Sequence, residues 1–138
     1  MDSVEMHERV AAARVARLAT LSPGGRPHLV PVCFALHDET LYWAVDQKPK
    51  TTSRLQRLRN IVADPRVSLL VDHYVEHWRA LWWVRVDGVA RVIDGDAQHG
   101  GEAADALTLL TDKYEQYRVA PTAGPLVAID ITTWQAWP

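Results

Sequence analysis

The sequence predicts a mainly β fold with flanking helices (α+β), a mostly antiparallel barrel in a single domain over residues 1–138. Two observations carry this. Three consecutive strand patterns are joined by tight turns, which favours hairpin pairing over a doubly wound parallel sheet. A long stretch, 80–93, alternates apolar and polar residues with the period of a half-buried strand. The expected order is helix, three strands, helix, two strands, helix, strand, with no repeats, low-complexity tract or linker.

The first helix is expected from a Ser3 cap through about Val15, with Met6, Val10 and Ala13 on one face. A strand over 15–21 follows, then a Ser22-Pro-Gly-Gly25 turn and a strand over 27–36, since Pro and Gly supply the dihedral angles of a tight reversal. His37-Asp38-Glu39 turns the chain into a third strand, Leu41–Val45. In the second helix Leu55, Leu58 and Val62 share one face, Arg57 points away from it, and the helix stops before Asp64-Pro65. Val67–Val71 reads as a short apolar strand. In the long strand Trp82, Val84, Val86, Ala90 and Val92 keep one parity across Asp87-Gly88, so one strand kinked at the glycine is expected rather than a hairpin. A helix over about 97–117, a loop over 120–125 and a strand over 126–134 complete the chain.

Of the 138 residues, 48% are hydrophobic and 23% charged, which is ordinary for a soluble globular protein. A formal net charge of -2 argues against a general nucleic-acid binder. The single cysteine, Cys33, excludes an internal disulfide and fits a reducing compartment. The acidic start lacks a signal-peptide core and no apolar run reaches membrane-spanning length, so a cytoplasmic protein with no membrane partner is expected.

Against that neutral background, residues 47–59 (QKPKTTSRLQRLR) carry Lys48, Lys50, Arg54, Arg57 and Arg59 and no acid. The hydroxyls Thr51, Thr52 and Ser53 stand where the second helix begins. Hydroxyls, exposed amides of a helix start and converging cations are the chemistry that holds a phosphate. Such a short basic stretch suits the phosphate arm of a cofactor better than a polynucleotide, which needs a longer cationic track.

Six tryptophans are many for this length; Trp78, Trp82 and Trp83 cluster, and Trp43 lies in another strand. Adjacent Trp82 and Trp83 face opposite sides of a strand, so both sides are expected to be covered, one by the barrel and the other by a second copy of the chain. Asp72-His73-Tyr74-Val75-Glu76-His77 places two histidines four apart, yet it follows a strand without a third ligand cluster and reads as a polar loop, so no metal is expected. His28, on a predicted strand, could meet a ligand; Cys33 is expected to be buried and inert. No glycine-rich nucleotide fingerprint, nucleophile elbow or carboxylate pair for glycoside chemistry occurs.

Several segments stand in a specific order: RLATL (17–21), GRPHLVPV (25–32), LYWAVD (41–46), KPK (48–50), RLRNI (57–61), DPRVSLLV (64–71) and LWWVRVDG (81–88). Together they resemble the flavin/deazaflavin oxidoreductases of the FMN-binding split β-barrel superfamily, and within it the pyridoxamine-phosphate-oxidase-like branch that uses coenzyme F-420. The resemblance covers nearly the whole chain. It implies a homodimer with a cofactor, F-420 or FMN, in grooves between subunits, and a hydride exchanged with a small-molecule substrate. By the same resemblance Lys48, Lys50, Thr51, Thr52, Ser53 and Arg57 contact the phosphate, with Arg57 standing where lysine is commoner. Val30, Pro31, Val32, Trp43 and Ala44 flank the tricyclic ring. Water, His28 or Tyr74 are the candidate proton donors, and Trp78 or Trp82 the candidate substrate wall. A cofactor-binding protein without turnover and a barrel binding single-stranded nucleic acid remain the alternatives.

Overall fold

A computed structural model describes residues 1–45, 52–93, 100–120, 122 and 124–138 of the chain. Among the described residues seven strands lie in the order β2-β1-β5-β6-β7-β4-β3, and every pairing is antiparallel. In chain order the elements are α1 (Ser3–Ala12), β1 (Ala16–Leu21), β2 (Pro27–Val32), β3 (Ala35–His37), β4 (Thr40–Ala44), α2 (Thr52–Ala63), β5 (Arg66–His73), a 3-10 turn (Trp78–Ala80), β6 (Trp82–Val92), α3 (Gly101–Lys113), α4 (Glu115–Val119) and β7 (Leu126–Trp137). The edge strands β2 and β3 are separated in the chain only by Cys33 and Phe34. Two residues span no more than about 11 Å, so the sheet must curl until its edges lie side by side. That is the split barrel, and its split runs between β2 and β3.

Two apolar cores share the sheet. The inner one joins Leu18, Phe34, Leu41, Trp43, Leu69, Val84, Val86 and Ile129, with Val10 of α1 reaching it from one end. The second lies between the opposite face of β4 and β7 and the helices α3 and α4, through Tyr42, Ala106, Leu110, Tyr117 and Ala128. Strand alternation explains the division: Leu41 and Trp43 face inward while Tyr42 faces α3.

The hairpin at Ser22–Gly25 forms as expected, with Gly24 and Gly25 at φ 87° and 82°, where an L side chain is strained. The long strand is single, as expected, and its irregularity lies between Asp87 and Gly88. Asp87 pairs with Thr133 and Gly88 with Ile131, so the extra residue, Thr132, sits on β7. Because the bulge is on the partner, the inward parity of β6 survives and Val84, Val86 and Ala90 are all buried. Gly88 is required there: a Cβ would stand 2.6 Å from the Asp130 carbonyl oxygen.

Several boundaries differ from expectation. Asp2, not Ser3, caps α1 by accepting from the Glu5 N–H at 2.8 Å, and the helix ends at Ala12. The strand expected over 27–36 breaks at Cys33-Phe34. Phe34 plugs the inner core at 0% exposure, and the Tyr114 hydroxyl takes over its backbone, accepting from its N–H and donating to its carbonyl, both at 3.1 Å. The same residue splits the helix expected over 97–117. Tyr114 is extended (φ -119°, ψ 117°) between α3 and α4, while residues 97–99 lie outside the described ones. In α2 the buried side is Asn60 and Ile61, whereas Val62 is 77% exposed. Asp72 and His73 are not loop but the end of β5, opposite Trp83 and Trp82. Cys33 is exposed rather than buried. Among the described residues no helix is long and apolar enough to cross a membrane.

Candidate functional site

Where the split between β2 and β3 meets α2 and α4, a cavity of about 250 Å³ opens, lined by Val15, Pro31, Val32, Cys33, Ala44, Arg57 and Tyr117. Its walls follow from local structure. Pro31 and Val32 end the edge strand β2, where proline's missing N–H costs no ladder bond. Ala44 ends β4, its short side chain leaving room. Tyr117 comes from the short helix made by the Tyr114 kink. Among the described residues of the wall, Arg57 is the one with a permanent charge.

Arg57 is held from below and behind. Its guanidinium lies over the Trp43 ring at 5.3 Å, so the expectation that it points away from the barrel side of α2 is corrected: it is half-buried against it. One turn further on, Asn60 is fully buried, donating from Nδ2 to Thr20 Oγ1 at 3.0 Å and to Ser22 Oγ at 3.4 Å, and accepting from Gln56 Nε2 at 2.7 Å. These bonds fasten α2 to β1 and the hairpin, which fixes the position of Arg57. The first turn of α2 contains no acidic residue, which leaves the helix dipole there favourable to an anion.

On the far side, Lys113 and Tyr114 stand behind Cys33. Lys113 Nζ donates to the Phe34 carbonyl at 2.9 Å and lies 4.0 Å from the Phe34 ring centre. Burial, aided by nearby Arg14, pulls its ammonium down to about 8, with Cys33 pulling weakly the other way. The Arg14 carbonyl lies 2.9 Å from the Tyr114 hydroxyl and shares its one proton with the Phe34 carbonyl, and burial pushes the phenol up.

Four residues expected at the cofactor, Pro31, Val32, Ala44 and Arg57, line this one cavity. Val30 lies on the inward parity of β2 opposite Leu18, packed on the inner core rather than on the cavity wall. Trp43 is 1% exposed inside the barrel, a support for Arg57 and not a wall of the cavity. Thr52 and Ser53 are the first residues of α2, while Lys48, Lys50 and Thr51 lie outside the described residues. His28 faces inward opposite Thr20, with Nδ1 buried and unbonded among the described residues. Tyr74 is exposed and donates to Glu76 at 3.3 Å, Trp78 is 68% exposed on the 3-10 turn, and neither lines the cavity. Among the described residues no three His, Cys, Asp or Glu side chains converge as a metal would need. Sequence reading missed Asn60, Lys113 and Tyr114. Asn60 lies off the apolar face expected for its helix, and a helix pattern runs straight through Lys113 and Tyr114, so periodicity singles out none of the three.

The donor set, one guanidinium and a helix start beside apolar walls, fits a flat ring carrying an anionic arm. At about 250 Å³ the cavity holds only part of such a group. Over residues 3–138 the sequence matches the family model described as pyridoxamine 5'-phosphate oxidase. No curated protein matches it by sequence. A FAD-binding protein from Mesorhizobium loti is 23% identical with a TM-score of 0.74, over 99% of this chain and 94% of that one. A FAD-binding protein from Mycobacterium smegmatis is 18% identical with a TM-score of 0.67, over 100% and 98%. HutZ, the heme storage protein of Vibrio cholerae, is 15% identical with a TM-score of 0.74, over 98% and 92%. At such identities the likeness shows the shared fold.

Proposed function

Because the chain belongs to the pyridoxamine 5'-phosphate oxidase family, we propose that it is an oxidoreductase that binds a flavin-type cofactor, coenzyme F-420 in preference to FMN, in the cavity at the barrel split. The observation that carries this reading is the convergence of Pro31, Val32, Ala44 and Arg57 on one cavity. When bound, such a cofactor supplies hydride transfer to or from a small organic substrate. The chain supplies position and electrostatics. Arg57, backed by Trp43 and by the Asn60 anchor, presents a fork of N–H donors to a phosphate, with the α2 amides beside it. Pro31, Val32 and Ala44 would give such a ring an apolar wall, and Tyr117 would close the side next to α4.

A second copy of the chain completes the site on this reading. The outer face of β2, β1, β5 and β6 carries exposed apolar residues in register: Leu29 (67%) beside Ala19, and Pro31 beside Arg17 and Leu70 (36%). Pro31 belongs both to this face and to the cavity wall, so a partner seated on the face would also border the cofactor.

Titration of the purified protein with F-420, FMN and FAD, followed by absorbance, tests the reading. F-420 should bind at micromolar concentration or tighter, and Arg57→Gln should weaken it about tenfold to a hundredfold, the usual value of a charge-assisted bond. No binding of any of the three, or an unchanged affinity in Arg57→Gln, would overturn it. A bound, reducible cofactor that no acceptor reoxidises faster than buffer would make the protein a carrier instead of an enzyme.

A further inference from the structure

The helical side of the cavity at the barrel split carries two cations whose partners are all neutral. Lys113 Nζ, half-buried, meets the Phe34 carbonyl at 2.9 Å and the Phe34 and Tyr114 rings at 4.0 and 5.3 Å from their centres. Arg14 stands beside it, donating to the Lys113 carbonyl at 2.9 Å with its guanidinium 4.6 Å from the centre of the Tyr114 ring. Among the described residues neither cation belongs to an ion pair. Carbonyls and ring faces hold a cation in place but bring no opposite charge.

Both cations adjoin the cavity wall. Arg14 precedes Val15 and Phe34 follows Cys33, and Val15 and Cys33 line the cavity together with Arg57. Tyr117, another wall residue, meets Tyr114 edge-on with ring centres 5.9 Å apart. Among the described residues of the wall none is acidic. Burial and Arg14 oppose the Lys113 charge, and Cys33 favours it weakly. Arg14 stays charged at all working pH values, and the Tyr114 phenol, pushed up by burial, stays neutral. An ammonium held at about 8 divides between its two forms near neutral pH, so an anion in the adjoining cavity would move it towards the charged form.

We propose that Lys113 is the pH-sensing charge of this cavity: an anionic cofactor entering it draws a proton from solvent onto the Lys113 amine, and is held more tightly below the Lys113 transition than above it. The inference rests on the reading of the cavity as a cofactor site and adds its regulation. Titration of the parent, Lys113→Met and Lys113→Arg with FMN and with F-420, from about pH 7 to about pH 9.5, tests it. The Lys113→Met profile carries the ligand's own titration. Relative to it, the parent should lose about fivefold to tenfold of its affinity across that range. Lys113→Arg, charged throughout, should keep its advantage at the upper end. Cys33→Ser removes the neighbouring thiol, whose ordinary value of about 8.5 falls in the same range, and should keep the parent's slope. By linkage, saturating cofactor should move the midpoint of Lys113 acetylation, followed by mass spectrometry in the unmutated chain, up by about 0.7 to 1 pH unit. An unmoved midpoint, or parallel profiles in the parent and Lys113→Met, would overturn the proposal and leave the cavity reading intact. Binding of neither cofactor overturns both.

Discussion

Replacing Asn60 with alanine isolates the joint on which the position of Arg57 depends. Asn60 is 0% exposed and Thr20 is 2% exposed, so neither can turn to water when the other is removed. The bonds to Thr20 at 3.0 Å and Gln56 at 2.7 Å each contribute about 1 kcal/mol net, and the one to Ser22 at 3.4 Å little. The stranded Thr20 hydroxyl adds a desolvation cost of about 1 kcal/mol or more. Asn60→Ala should thus cost about 3 kcal/mol, or near 10 °C in melting temperature for a chain of this length. Urea unfolding followed by tryptophan fluorescence measures it, and a cycle with Thr20→Val separates the shared bond from the rest. With Thr20 already valine, the alanine change should cost about 1 kcal/mol less. Costs that add to within about 0.5 kcal/mol, or an Asn60→Ala penalty under about 1 kcal/mol, would refute the assignment of Asn60 as the anchor of α2.

Two further outcomes follow from single side chains. His7 has an acceptor on each ring nitrogen, the Ser3 carbonyl and Glu39, both at 2.8 Å, and only the imidazolium can donate to both. Partial burial opposes the charge, but Ser3 and Glu39 outweigh it and raise His7 above its ordinary value; Trp134, then His7, keeps the Glu39 carboxyl low. A raised folded value means stability that is fully present below about pH 6.5 and lost as pH rises through the folded value. The melting-temperature gap between the parent and His7→Gln should therefore narrow from about pH 5.5 to about pH 8.5, and a constant gap contradicts this. Lys113, lowered by burial to about 8, should react with acetic anhydride along a pH profile centred there instead of near the usual lysine value of about 10.4. Between those two values the unfolded chain holds a proton that the native chain has shed, so this lysine's contribution to stability grows with pH across that window. An ordinary lysine profile by mass spectrometry would show that Lys113 is solvated.

What could be read in advance was local. The β6 alternation, the Pro-Gly-Gly turn and the Asp64-Pro65 stop each obey rules that operate within a few residues. The cationic stretch stood out for the same reason, and its Arg57 does reach a cavity. What stayed hidden depends on distant partners. The break at Phe34 occurs because a tyrosine eighty residues away satisfies its backbone. The pairing of β4 with β7, and so the division into two cores, is equally non-local. Helical periodicity placed Val62 inward because it weighs apolarity alone; the fold buries Asn60 and Ile61 instead, since hydroxyls on β1 and the hairpin give the amide its partners.

The cavity at the barrel split is bordered by Val32, which belongs to the inner core, and by Tyr117, which belongs to the helical one. Neither core builds it alone. A molecule lodged there would act as a rivet through two plates: its affinity is available only while both are assembled, so each would resist loosening by the free energy of the occupant. Emptying the cavity should therefore lower the melting temperature of the whole fold by the share the occupant contributed.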